Sequence, residues 1–137
     1  MTDAPLQALF EVLASKLGSS AYPSSVDADV ARPYTVFSWA GGGRERMRVR
    51  AKNARYTISV KRVADTLEEA LAGNETISAA LDDSGSQDYD PRLPSHPDWE
   101  ITTGTEDREI FLEEAFEGAV HIYHSGHQYV FTMERRN

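Results

Sequence analysis

Cysteine is absent from the chain, which excludes disulfide staples, thiolate metal sites and thiol nucleophiles. The absence suits a reducing compartment without requiring one. No apolar run approaches the ~20 residues that a bilayer-spanning helix needs. The first residues, Met1 to Gln7, lack the basic and apolar regions of a secretory signal. The expectation is a soluble product, assembled in the cytoplasm, with no membrane partner. Basic residues are the scarcer charge, 14 Lys+Arg against 22 Asp+Glu, for a formal net charge of -8. That balance argues against general nucleic-acid binding.

Catalytic signatures are missing as well. No Gly-x-Ser-x-Gly elbow, phosphate-binding loop or dinucleotide fingerprint occurs. The run Gly41-Gly42-Gly43 precedes an arginine-rich stretch rather than a helix, so it builds no phosphate cradle at a helix terminus. Acidic neighbours such as Glu113-Glu114 and Asp82-Asp83 do not form an acid/base dyad, because adjacent strand residues face opposite sides. His121, His124 and His127 invite a metal-site reading. With Ser125-Gly126 read as a turn, however, His124 and His127 flank the turn while His121 lies along a strand. The spacing then favours a polar hairpin end, and neither a metal nor a cofactor is expected.

What is present is a globular composition. The chain has 137 residues, 40% of them hydrophobic, enough for one domain, residues 1-137, around one modest core. Leu6, Leu9, Phe10, Leu13 and Leu17 form a helical stripe over Asp3 to Leu17, with Asp3 as cap, Pro5 in the first turn and Gly18 as the stop. Ser19 to Arg32 reads as a loop and Pro33 to Ala40 as a strand. The glycine run reads as a turn, followed by strands over Arg44 to Arg50 and Arg55 to Val63. In the second of these Tyr56, Ile58 and Val60 alternate with polar residues. Asp65 to Leu81 reads as a second helix. Thr66 and Glu69 form a capping box, and Leu67, Leu71, Ile77 and Leu81 mark its buried side. Asp82 to Asp98 is a long polar loop. Trp99 to Thr103, Glu109 to Phe116, Ala119 to His124 and Gln128 to Glu134 are candidate strands, with Ser125-Gly126 as the clearest hairpin turn. The order predicts an α+β fold: a mainly antiparallel sheet with two helices packed on one face. Phe10, Leu13, Phe37, Tyr56, Ile58, Val60, Leu67, Leu71, Trp99, Ile122 and Phe131 are the expected core.

Charge is unevenly placed. Arg44 to Arg62 contains eight basic residues and one acidic residue, which leaves a net charge of -15 on the rest. Arg44, Arg46, Arg48 and Arg50 recur at a period of two, so on a strand they leave one face. Four like charges in a row need solvent or an anionic partner. An edge strand protected by charge is one reading. Docking onto an acidic subunit or DNA phosphate is the other.

The order of elements resembles the tail terminator, or tail completion, proteins of long-tailed bacteriophages. The resemblance covers nearly the whole chain. It rests on the leading LQALFEVLASKLG, the Tyr22-Pro23 loop, PYTVFSW, the unit YTISVKRVADTLEEALAGNETISAAL, DWEIT, and the closing HIYHSGHQYVFTMER. The Ser84 to Asp98 stretch is long for that family. The resemblance implies a virion protein without catalytic residues or cofactor. It would form a homo-oligomeric ring, a hexamer, that caps the tail tube, terminates its polymerisation and joins tail to head. Its partners would be the tail tube protein and a head-completion or connector protein, with genomic DNA in passing contact in the lumen. Alternatives are a head-tail connector, a tail-tube component, or a small ligand-binding or hydrolytic prophage domain.

Overall fold

The computed structural model describes residues 4–18, 21–23, 31–44, 53–81, 96–116 and 120–136. The fold is α+β, as the sequence predicts. In chain order it comprises α1 (Ala4–Leu17), β1 (Ala21–Pro23), β2 (Tyr34–Arg44), β3 (Asn53–Ala64), α2 (Leu67–Leu81), β4 (Trp99–Phe116) and β5 (Val120–Arg135). One five-stranded sheet has the order β1-β2-β3-β5-β4. The short β1 runs parallel to β2, and all other pairs are antiparallel.

The alternation along β3 decides which face is covered. Ala54, Tyr56, Ile58 and Val60 are buried, and their β5 partners Met133, Phe131, Tyr129 and His127 share that face. Both helices pack there. α1 buries Leu6, Leu9, Val12 and Leu13 in the same cluster, and Phe10 meets Phe37 edge-on at 5.3 Å between ring centroids. Each large side chain fully buried here contributes ~1.5–3 kcal/mol of transfer free energy. Gly18 ends α1 at φ 88° and donates its N–H to the Ala14 carbonyl at 3.1 Å, as a left-handed cap should. The Asp3 cap and the 82–95 part of the polar loop lie outside the described residues.

Several local expectations are corrected. The glycine run is not a turn: Gly41, Gly42 and Gly43 continue β2 and pair with Thr57, Tyr56 and Arg55. A register shift between Trp39 and Gly41 absorbs the irregularity, and the indole Nε1 donates to the Gly41 carbonyl at 2.7 Å. Glycine here serves a bulged strand rather than a reversal. Ser125-Gly126 is not a turn either, and β5 runs through it. A methyl group at Gly126 would overlap the Val60 carbonyl oxygen and the Lys61 backbone, so the glycine permits a close approach of two strands. The two strands expected around 99–116 are one, with register shifts at Ile101/Thr103 and Glu106/Arg108.

The capping box of α2 is present, with Glu69 N–H donating to Thr66 Oγ1 at 3.2 Å. Its buried side is Ala70, Asn74, Ile77 and Leu81, while Leu67 and Leu71 are exposed. The helix is rolled away from its two leucines because small residues, Ala70 and Gly73, let it approach the sheet closely. Of the other expected core residues, Leu13, Phe37, Tyr56, Ile58, Val60, Trp99 and Phe131 are buried, whereas Phe10 and Ile122 are half-buried.

Replacing Gly126 by Ala should cost about 1–3 kcal/mol, the range for forced overpacking. Urea unfolding of the two proteins measures it, and an unchanged midpoint would contradict the close approach. Thr66→Ala, by contrast, should cost about 1 kcal/mol through loss of the cap alone.

Candidate functional site

Arg44 closes β2 opposite Ala54. It therefore stands at the end of the sheet where Ala54 also meets Met133 and Met133 meets Ile101. Arg46, Arg48 and Arg50 lie outside the described residues. The β4–β5 connection, after the Phe116–Val120 pair, is at the opposite end, beyond the Val63–His124 level. The basic stretch is thus entered from one end of the sheet. The edge strand β4 carries six acidic residues and one basic one along its length.

The three histidines do not converge. All are on the single strand β5, and parity places His121 and His127 on the helix-covered face and His124 on the other. Each meets a different carboxylate. His121 Nδ1 lies 3.0 Å from Glu113, His124 Nε2 lies 2.7 Å from Glu114, and His127 Nδ1 lies 3.6 Å from Glu106. Glu113 and Glu114 thus serve opposite faces, as strand alternation requires. Among the described residues no three His, Cys, Asp or Glu side chains could hold one metal ion.

Beneath α2 the covered face turns polar. Ser78 Oγ donates to Glu106 Oε1, and the Tyr129 hydroxyl reaches the same oxygen at 3.4 Å. His127 Nδ1 lies 3.1 Å from the Oδ1 of the buried Asn74. Serine, histidine and glutamate meet here, but the carboxylate stands between the other two. A nucleophilic triad needs the histidine next to the hydroxyl. The arrangement ties α2 to β4 and β5.

His124 is more exposed to pH. It is buried, and the Glu114 carboxylate approaches it off the line of a good hydrogen bond. Burial, aided by the Lys61 ammonium on β3, holds its pKa below the usual 6.5, against the opposing pull of Glu114 on β4.

A cavity of about 260 Å³ lies between α1, α2, β2 and β3. Lys16, Arg62, Thr35 and Thr76 supply its polar lining, and Leu17, Ile77 and Ala80 part of its apolar wall. Arg62 continues the buried alternation of Tyr56, Ile58 and Val60, so it emerges on the helix side. Its stem crosses Gly73, where any β-carbon would collide with it, and Nη1 donates to Thr35 Oγ1 at 3.0 Å. Neither Lys16 nor Arg62 is in an ion pair among the described residues. Sequence reasoning grouped Arg62 with the basic stretch only. Its place on an apolar stripe was the available signal of a different role.

No family model matches the chain, and no curated protein does. A solved structure does: a chain of the virion of a native gene transfer agent (GTA) particle superposes with a TM-score of 0.52. The match is 17% identical in sequence and covers 96% of this chain and 91% of that one. A likeness at that identity shows that the two share a fold. No helix among the described residues is long and apolar enough to cross a membrane.

A lowered pKa in the folded state means that acid favours the unfolded chain, which takes up the proton first. The stability contributed by neutral His124 is therefore present above pH 6.5 and is lost as pH falls from there through the lowered folded value. Urea midpoints at pH 8 and pH 5.5 should differ more in the native protein than in His124→Gln. Equal differences would remove His124 from the account.

Proposed function

We propose that the chain is a non-enzymatic structural subunit of a phage-type virion, and that it forms a ring, a hexamer, which caps the tail tube, ends its polymerisation and joins the tail to the head. The observation that carries the reading is the fold shared, over nearly the full length of both chains, with a chain of a virion particle. The sequence resemblance to tail terminators narrows it from virion component to tail cap. The work of such a subunit is to present unlike surfaces to its neighbours, since a closed ring of identical subunits is built from heterologous contacts. This chain has them: a basic stretch entered from one end of the sheet at Arg44, and an acidic edge strand, β4.

Arg44, Arg46, Arg48 and Arg50 are the docking residues in this reading, and acidic side chains of an adjacent subunit or of the tube accept them. Arginine suits the role because its planar fork holds a carboxylate through two hydrogen bonds. A single exposed pair is worth only ~0.2–1 kcal/mol, but a ring repeats it at every interface. DNA phosphate is the weaker acceptor, because a lumen that gripped the genome would impede its passage and the remainder of the chain is acidic.

Changing Arg46 and Arg48 together to Glu tests this. Rings seen by negative-stain imaging of the native protein should be lost, or should no longer cap tubes, at ordinary salt. Rings that form and cap as before would reduce the basic stretch to a solvated surface.

A further inference from the structure

The acidic edge strand also carries an exposed apolar group. Phe111 is 53% exposed, the most exposed large hydrophobic side chain among the described residues. Its partner is Ser125, so it projects on the helix-covered face. Glu109 and Glu113 lie two residues to either side and therefore share that face. Glu109 is exposed and makes no ion pair among the described residues. The edge thus displays an acid–aromatic–acid stripe beyond the reach of its own helices.

The cavity has the opposite character, with two cations that form no ion pair among the described residues set around an apolar wall. Its position matches as well. Thr35 pairs with Arg62, Arg62 with Ser125, and Ser125 with Phe111, so cavity and stripe stand on one row across the sheet. They are also on opposite sides of it, the cavity towards β2 and the stripe on the β4 edge. A closed ring has no rise from one subunit to the next. If its axis runs along the strands, the surfaces that meet must lie at one height on the subunit, and these two do.

Resting on the ring reading above, we infer that the Glu109–Phe111–Glu113 stripe of one copy docks at the Lys16–Arg62 cavity of the next. The phenyl ring covers the apolar wall at Leu17, Ile77 and Ala80, and the flanking carboxylates meet the ammonium and the guanidinium. The half-buried guanidinium, hydrogen-bonded to the neutral Thr35 hydroxyl and in no ion pair among the described residues, gains a charged acceptor. The contact is heterologous, since stripe and cavity are different surfaces, so it leads round a ring rather than closing a two-fold dimer.

The test uses the full chain and sedimentation velocity across a concentration series. Phe111, Lys16 and Glu109 are all exposed, so Phe111→Ser, Lys16→Glu and Glu109→Lys should leave the unfolding midpoint of the dilute subunit unchanged. Phe111→Ser and Lys16→Glu should each raise the concentration for half-assembly by about tenfold or more. Glu109→Lys combined with Lys16→Glu should recover much of that loss. A native chain that assembles while both single variants assemble equally well overturns this contact and leaves the ring reading standing. A native chain that stays monomeric at every concentration overturns both. Rings that form in both variants but no longer cap tubes would assign the cavity to the tube protein, and overturn the contact between copies.

Discussion

The core beneath both helices is built on a single alternation shared by β3 and β5. Twelve consecutive pairs, Asn53–Glu134 to Ala64–Tyr123, hold the two strands in one register. Ala54, Tyr56, Ile58 and Val60 therefore lie beside Met133, Phe131, Tyr129 and His127 on one face. A slip of one residue would turn that set toward the opposite face and put Thr57, Ser59 and Lys61 under the helices. The glycine at 126 belongs to this constraint, because the strands approach so closely there that no β-carbon fits. The positions of α1, α2, the cavity and the polar cluster all follow from where the alternation stays apolar and where it is interrupted.

It is interrupted at Arg62, Ser125 and His127, where the covered face carries polar side chains. Buried polar groups are tolerated when they find partners. Asn74 finds His127, and Ser78 and Tyr129 find Glu106. These contacts explain why α2 turns Ala70, Asn74 and Ile77 to the sheet instead of its two exposed leucines. Among the described residues Arg62 is the member of this region whose hydrogen-bond partner is a neutral hydroxyl, Thr35. That difference sets the cavity apart from the rest of the covered face.

Charge separation is the second organising feature. A chain with a net charge of -8 that gathers eight of its 14 basic residues between Arg44 and Arg62 is strongly dipolar. The sheet turns part of this sequence asymmetry into a spatial one, with the acidic β4 at one edge and Arg44, Arg55, Lys61 and Arg62 on β2 and β3, on the other side of β5. Such a distribution favours association of unlike surfaces and disfavours a like-on-like dimer. A charged, twice-bulged edge also resists uncontrolled strand addition. The same features that would order a ring would thus keep subunits from adding strand to strand at the β4 edge.

The sequence by itself determined the α+β class, both helices, the Gly18 stop of the first and the Thr66 cap of the second, the period-two stripe of β3, and the segregation of charge. Each of these is encoded locally, in spacing over a few residues, and elementary periodicity reads it. Only the tertiary structure decided that the glycines at 41–43 and at 126 lie inside strands, because a bulge or a close approach depends on the strand alongside. Local composition cannot separate such glycines from those of turns. Only the tertiary structure divided His121 and His127 from His124, since their facing follows from β5 continuing where a turn was expected. It also decided the roll of α2, because which side of an amphipathic helix is buried depends on the shape and polarity of the surface beneath it. The cavity was the least legible feature of all. Its lining comes from four elements, and Lys16 and Arg62 meet across it only because the sheet register and both helix contacts are satisfied together.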